Sequence, residues 1–184
     1  MASNEEYSYE LRIPKERIAV LIGTKGEVKK QLELATKTKI DIDSDEGEVI
    51  ISGTDALGLY TTREIIRAIG RGFNPETAQL LLKQDYGLEL IDIGIYAKSK
   101  EDLIRLRGRV IGEGGKARRI IEDLTQSHIS VFGKTVALLG NFEGLGMARK
   151  AIETLLEGAP HSNVYKWLEK RAKELKRRSV LESF

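Results

Sequence analysis

Apolar residues along the chain follow two alternating rhythms, and the same succession of rhythms occurs twice. Over residues 6–13 apolar and polar positions alternate, the period of a strand with one covered face. Pro14 then opens a helical stretch in which Ile18, Leu21 and Ile22 share a face, because proline lacks only an N–H that a first helical turn leaves unpaired. Gly23-Thr24-Lys25-Gly26 interrupts that helix, and a second is predicted over residues 27–35. Strands at 39–43 and 48–52 follow, then a helix over 55–70 with Leu59, Ile66 and Ile69 on one stripe. The succession restarts with a strand predicted over 88–97. Ser99, with Asp102 three residues on, reads as a capping box for a helix running into Gly112-Glu113-Gly114-Gly115. A helix over 116–125, strands at 128–132 and 135–139, and a helix spacing Leu145, Ala148, Ile152 and Leu155 complete it. Two segments lie outside the recurring pattern. Asn74-Pro75-Glu76-Thr77 is an N-cap followed by proline at the first helical position, predicting a linker helix with Ala78, Leu81 and Leu82. After Pro160, Ser162 or Asn163 is expected to cap a C-terminal helix with Val164, Leu168, Ala172 and Leu175 on one face.

The recurrence is a duplication. Ile22 and Ile111 stand 89 positions apart, and at that offset Gly23 matches Gly112, Gly26 matches Gly115, Lys29 matches Arg118, Leu32 matches Ile121 and Thr36 matches Thr125. Gly53 and Gly140 stand 87 apart, which predicts a loop two residues shorter in the second copy. A period this long suits two copies of a small domain rather than a solenoid. The expected organisation is a tail and strand start at 1–7, a first domain at 8–73, the linker helix at 74–87, a second domain at 88–159, and a basic helix and tail at 160–184.

Each copy therefore reads as strand, helix, glycine turn, helix, strand, strand, helix. One G-x-x-G between helices is an ordinary connection; two in the same flanking pattern are not. Glycines at that point let a sugar–phosphate backbone approach with no Cβ in the way, and the following helix turns unpaired N–H groups and its positive dipole end toward phosphate. The pattern resembles tandem type I, or eukaryotic-type, KH domains, an α+β fold of two βααββα units whose G-x-x-G turn clamps four nucleotides of a single strand.

Composition sharpens this. At 41% hydrophobic the chain is too apolar for disorder, and charges interrupt every window of the roughly 18 apolar residues that a spanning helix needs. No membrane association is expected. The segment MASNEEYSYE lacks the basic start and apolar run of a signal peptide, making the cytoplasm the expected compartment. The absence of cysteine excludes a thiol nucleophile and thiolate-bound metal. A charged fraction of 32%, rich in Lys and Glu, fits a protein from a hot habitat. Aromatic residues make up only 6%, which disfavours folds that read RNA by stacking and suits an aliphatic groove. No enzyme motif is complete. Gly112-Glu113-Gly114-Gly115-Lys116-Ala117 matches G-x-G-x-x-A but follows a basic helix rather than a strand. Gly133-Lys134-Thr135 ends like a Walker A motif, with His128 where its first glycine belongs. Asp41, Asp43 and Asp45 begin like a calcium loop, but Glu46 replaces the glycine. His128 and His161 have no catalytic set around them. No catalytic residue, metal or cofactor is expected.

The net charge of +2 hides an asymmetry. Arg105, Arg107, Arg109, Lys116, Arg118 and Arg119 surround the second turn against one acid, Glu113. Lys25, Lys29 and Lys30 lie near the first turn, but the loop between its strands carries Asp41, Asp43, Asp45, Glu46 and Glu48, which repel phosphate. The second copy is thus the expected RNA reader. Seven further basic residues lie between Lys166 and Arg178, either an electrostatic track for RNA or the solvated face of a packed helix.

From residue 8 to 178 the chain resembles the archaeal form of the Dim-two, or partner-of-Nob, family of small-subunit ribosome assembly factors, most specifically through R-V-I-G-E-G-G-K at 109–116. The resemblance implies binding near the 3′ end of small-subunit rRNA or its precursor, cooperation with the Nob-family endonuclease that trims that end, and contact with the alpha subunit of translation initiation factor two. Carried onto this sequence, the clamp is Gly112, Glu113, Gly114 and Gly115, helped by Arg109, Lys116, Arg118 and Arg119, with bases against Ile111 and the strand containing Ile129, Ser130 and Val131. Gly23, Thr24, Lys25, Gly26 and Lys29 form a secondary RNA- or protein-binding site. The alternatives are an RNA-exosome accessory subunit, disfavoured because no OB-like β-rich domain precedes the repeat, and a protein-binding scaffold that has lost RNA.

Overall fold

The structure, a computed structural model, describes residues 6–182, so the expected N-terminal tail lies, for residues 1–5, outside the described residues. It divides into two compact units at Gln84 and Asp85.

In the first unit β1 (Tyr7–Arg12), β2 (Lys39–Asp43) and β3 (Glu48–Gly53) form an antiparallel sheet in the order β1-β3-β2. Its register sets Leu11 opposite Val49 and Ile40 opposite Ile51. Three helices cover one face: α1 (Lys15–Ile22), α2 (Glu27–Thr36) and α3 (Ala56–Gly70). Leu21, Leu32, Ile40, Ile51, Ile65, Ile66 and Ile69 are fully buried between the layers. Asp55 starts α3 by accepting from the N–H groups of Leu57 and Gly58. Asn74 does the same for α4 (Pro75–Ala78) through the Thr77 N–H at 2.7 Å. The linker helix is shorter than predicted: a 3₁₀ turn takes over at Gln79–Leu82, and Ala78 and Leu81 are buried while Leu82 is exposed.

The second unit repeats the plan. Strands β4 (Tyr86–Asp92), β5 (Ser127–Phe132) and β6 (Thr135–Asn141) pair in the order β4-β6-β5 under α5 (Lys100–Ile111), α6 (Lys116–Thr125) and α7 (Phe142–Leu156). Strand β4 starts at Tyr86 and stops at Asp92, five residues short of the predicted end. The Asp92 carboxylate accepts from the Gly94 N–H at 2.7 Å and turns the chain into a 3₁₀ segment at Ile93–Ile95. The alternation Ile91-Asp92-Ile93-Gly94-Ile95 imitates a strand and conceals that turn. The β2–β3 loop holds four residues and the β5–β6 loop two, which accounts for the change of offset. Helix α8 (His161–Glu182) begins directly after Pro160, so Ser162 and Asn163 lie inside its first turn rather than capping it. It packs on α6 and α7 through Val164 and Leu168, joining the core of the second unit. No helix among the described residues is long and apolar enough to cross a membrane.

Candidate nucleic-acid interface

A duplicated carboxylate sets the spacing between the second helix of each unit and the open edge of its sheet. Glu33 accepts from the Ile40 N–H at 2.8 Å, and Glu122 from the Ile129 N–H at 2.7 Å. Buried hydroxyls reinforce the same corner. Thr36 and Thr125 each donate to the carbonyl four residues back and bond the hydroxyl two residues on, Thr38 and Ser127 respectively. Helix and edge strand are thus held as two walls of a groove, with the glycine turn at one end.

In the second unit that turn is built from three glycines with separate tasks. Gly112 ends α5 at φ 74 and ψ 169, and its N–H bonds the Gly108 carbonyl at 2.8 Å. A Cβ there would stand 2.6 Å from the Ala117 nitrogen and 2.7 Å from its Cβ, so only glycine lets α5 and α6 approach this closely. Gly114 (φ 57) and Gly115 (φ 77) hold the left-handed region, yet a Cβ at either would meet nothing within 4 Å. The space in front of them is open to a ligand backbone. Gly115 is the N-cap of α6 and offers no capping side chain; its own N–H and that of Lys116 bond the carbonyls of Gly112 and Glu113, so what the turn presents to an anion is the positive end of the helix dipole.

The first turn has the same shape with different residues. Gly23 (φ 73) packs against Val28, and Gly26 (φ 77) precedes α2. Lys25, the counterpart of Gly114, takes the left-handed conformation at φ 53 with a full side chain. Thr24 and Lys25 are exposed and Lys29 half-buried.

The predicted basic residues separate into three roles. Lys116 is exposed beside the turn. Arg119 donates to the Gly114 carbonyl at 2.8 Å and braces the turn, and Arg118 lies 3.8 Å from Glu122. Arg109 does not join them. Its guanidinium donates to the carbonyls of Leu155 and Ala159, closing the end of α7. In the first unit Arg17 closes α3 in the same way through Ile69 and Phe73, from a position about one helical turn earlier, so the 89-residue offset does not reveal the shared task.

Ile129 also departs from expectation: only 4% exposed, it belongs to the core and cannot offer a side chain to a base. Ser130 and Val131 are half-buried on β5, the open edge of the sheet, and Val131 shares Ile129's face nearer the loop. Ile111 is half-buried at the end of α5. Sequence reasoning missed Ile104, which is 68% exposed, and Gly108, where a Cβ would find open space. With Ile111 they form an i, i+4, i+7 face on α5, the spacing that could have found them. The resulting surface is aliphatic, bounded by glycine backbone and lysine or arginine at one end and by the edge strand β5 at the other. It can hold bases against apolar side chains while a phosphate backbone passes the open glycines beside Lys116 and the positive end of α6.

Two βααββα units, each turning between its first two helices on G-x-x-G, define a protein with tandem type I KH domains, a class that binds RNA. A family model described as a eukaryotic type KH-domain (KH-domain type I) matches residues 87–173, and a KH domain model matches residues 8–68. The chain is 50% identical over 171 residues to a KH domain-containing protein of Methanocaldococcus jannaschii, spanning 91% of this chain and 75% of that one. It is 47% identical, with a TM-score of 0.84, to the crystal structure of Dim2p from Pyrococcus horikoshii OT3, covering 89% of this chain and 99% of that one. In the crystal structure of the a/eIF2alpha-aDim2p-rRNA complex from the same organism, the matched chain gives a TM-score of 0.86 at 47% identity, covering 92% and 96% respectively. The chain belongs to the archaeal Dim2p, or partner-of-Nob, family of KH proteins.

Proposed function

We propose that this protein binds single-stranded RNA in the groove of its second KH unit and acts in assembly of the small ribosomal subunit, at the 3′ end region of small-subunit rRNA or its precursor. The observation that carries the reading is the second turn, where Gly114 and Gly115 hold left-handed backbone with open space before them and Lys116 and Arg119 beside it. The solved complex of a relative with rRNA and a/eIF2alpha supports the RNA class and makes the alpha subunit of translation initiation factor two a partner of this chain as well. The Nob-family endonuclease that trims the same RNA end is the second protein partner, and the cytoplasm is where the work is done. The protein's role is to hold RNA, with no catalytic group of its own. The first unit keeps the turn but carries Lys25 in place of the middle glycine and five acids on and between β2 and β3, so it reads RNA less well and is available to a protein.

Crosslinking the protein to total cellular RNA and sequencing the attached fragments tests the assignment. Enrichment at the 3′ end of small-subunit rRNA is expected. Enrichment spread over messenger RNA decay fragments would favour an exosome role, and no RNA above background would favour a scaffold.

A further inference from the structure

Helix α8 is longer and more one-sidedly charged than its packing requires. Val164 and Leu168 are buried against α6 and α7, and Leu175 packs at the edge of the same cluster. On the opposite side Lys166, Lys170, Lys173 and Arg177 fall at i, i+4, i+7 and i+11, all exposed. None of the four has a carboxylate within ion-pair distance among the described residues; the pair that α8 makes is Arg171 with Glu174, at 3.0 Å on its flank. A solvated face built for stability would alternate charge, because opposite charges four apart support a helix and like charges four apart destabilise it. This stripe places like charges together at every step. The helix dipole explains cations near the C-terminal end, but not Lys166 and Lys170 in the N-terminal half. An anionic ligand lying along the stripe relieves the repulsion.

The position of α8 identifies that ligand. The His161 Nε2 donates to the Arg109 carbonyl at 2.7 Å, three residues before Gly112, so α8 starts beside the glycine turn. Farther along, Leu175, Lys176 and Ser179 line a cavity of about 450 Å³ with Asp123 and Gln126 at the far end of α6. Helix α8 thus leaves the neighbourhood of the turn and runs alongside α6, with the stripe on its outer side, facing away from α6.

We infer that the outer face of α8 is a second, sequence-independent phosphate site, which takes the backbone of the same RNA where it continues beyond the nucleotides held at the turn. The inference rests on the proposed reading of the second turn. Its test compares two probes, the last 20 nucleotides of small-subunit rRNA and the tightest-binding hexanucleotide within them, against the variant Lys166→Gln, Lys170→Gln, Lys173→Gln, Arg177→Gln. On the 20-mer the variant is expected to lower the slope of log affinity against log salt by about 3, from roughly 0.7 for each single-strand phosphate neutralised, and to weaken binding on the order of 10²- to 10³-fold at 0.1 M salt. Hexanucleotide affinity stays within about twofold of the parent, which also shows that the groove is folded. An unchanged slope on the 20-mer overturns the proposal. So does an equal loss on both probes, since the stripe would then act on the groove rather than beyond it. A wrong reading of the turn shows separately, as hexanucleotide binding that Gly114→Asp leaves intact.

Discussion

Gly112 and Gly114 are two residues apart in one turn, yet a Cβ at the first would strike Ala117 while one at the second meets open space. The first is therefore expected to matter for stability and the second, on the proposed function, for binding. Replacing Gly112 with alanine forces a Cβ into a backbone at φ 74 and ψ 169, a region occupied almost only by glycine, at about 1–3 kcal/mol. The new methyl also lies 2.6 Å from the Ala117 nitrogen and 2.7 Å from its Cβ, and pushing α5 and α6 apart adds about 1–3 kcal/mol of overpacking. Together the loss is roughly 2–6 kcal/mol, enough to lower the melting midpoint of a unit of this size by roughly 10 °C or more. Gly114→Asp meets no neighbour, and Lys25 shows that the same turn accepts a side chain at that place, so its cost is about 1 kcal/mol. Trp167, the chain's one tryptophan, sits on α8 in the second unit, so urea or thermal melts followed by its fluorescence report that unit alone. A Gly112→Ala melt within about 0.5 kcal/mol of the parent would refute the steric argument, as would a Gly114→Asp loss as large as that of Gly112→Ala.

Arg109→Ala, which strips two charge-assisted hydrogen bonds from the end of α7, should destabilise the second unit by about 1–3 kcal/mol in the same melts while leaving short-RNA affinity of the folded protein unchanged. Lost affinity without lost stability would return Arg109 to the RNA surface. The Lys98 N–H and the Arg105 guanidinium hold the Asp102 carboxyl below the ordinary value of 3.8. Its contribution to stability is therefore present above that value and is lost as pH falls through the lower folded one. An NMR titration should place its midpoint below 3.8, and a midpoint at or above it contradicts the assignment.

The duplication made most of the fold legible, because each weak local signal was repeated at a fixed offset. Strand β2 and helix α6 fall on their expected residues, and the two-residue slip located the shorter loop. What the sequence concealed is where an alternating pattern continues past an Asp-centred turn, as at Asp92, and where a helix starts without a capping side chain, as at His161. At the site, the glycine turn could be read because backbone conformation there demands particular residues. The partners of its arginines could not, since their sequence neighbourhood is uniformly basic. Only the fold reveals that Arg109 reaches a carbonyl 46 residues away, while Arg119 braces the turn five residues before it. Ile129 was misplaced for a related reason: on a strand at the sheet edge, alternate residues belong to the core, and the motif does not mark which.

On the proposed function the second turn, rather than the first, grips RNA. The most direct test is the affinity of a short single-stranded RNA from the 3′ end of small-subunit rRNA for Gly114→Asp and for the double variant Thr24→Asp, Lys25→Asp, at one salt concentration with folding verified. A carboxylate where phosphate must approach should weaken binding roughly a hundredfold in the second turn, the order of a lost charge-assisted contact, and far less in the first. An equal or greater loss from the first-turn variant would contradict the account.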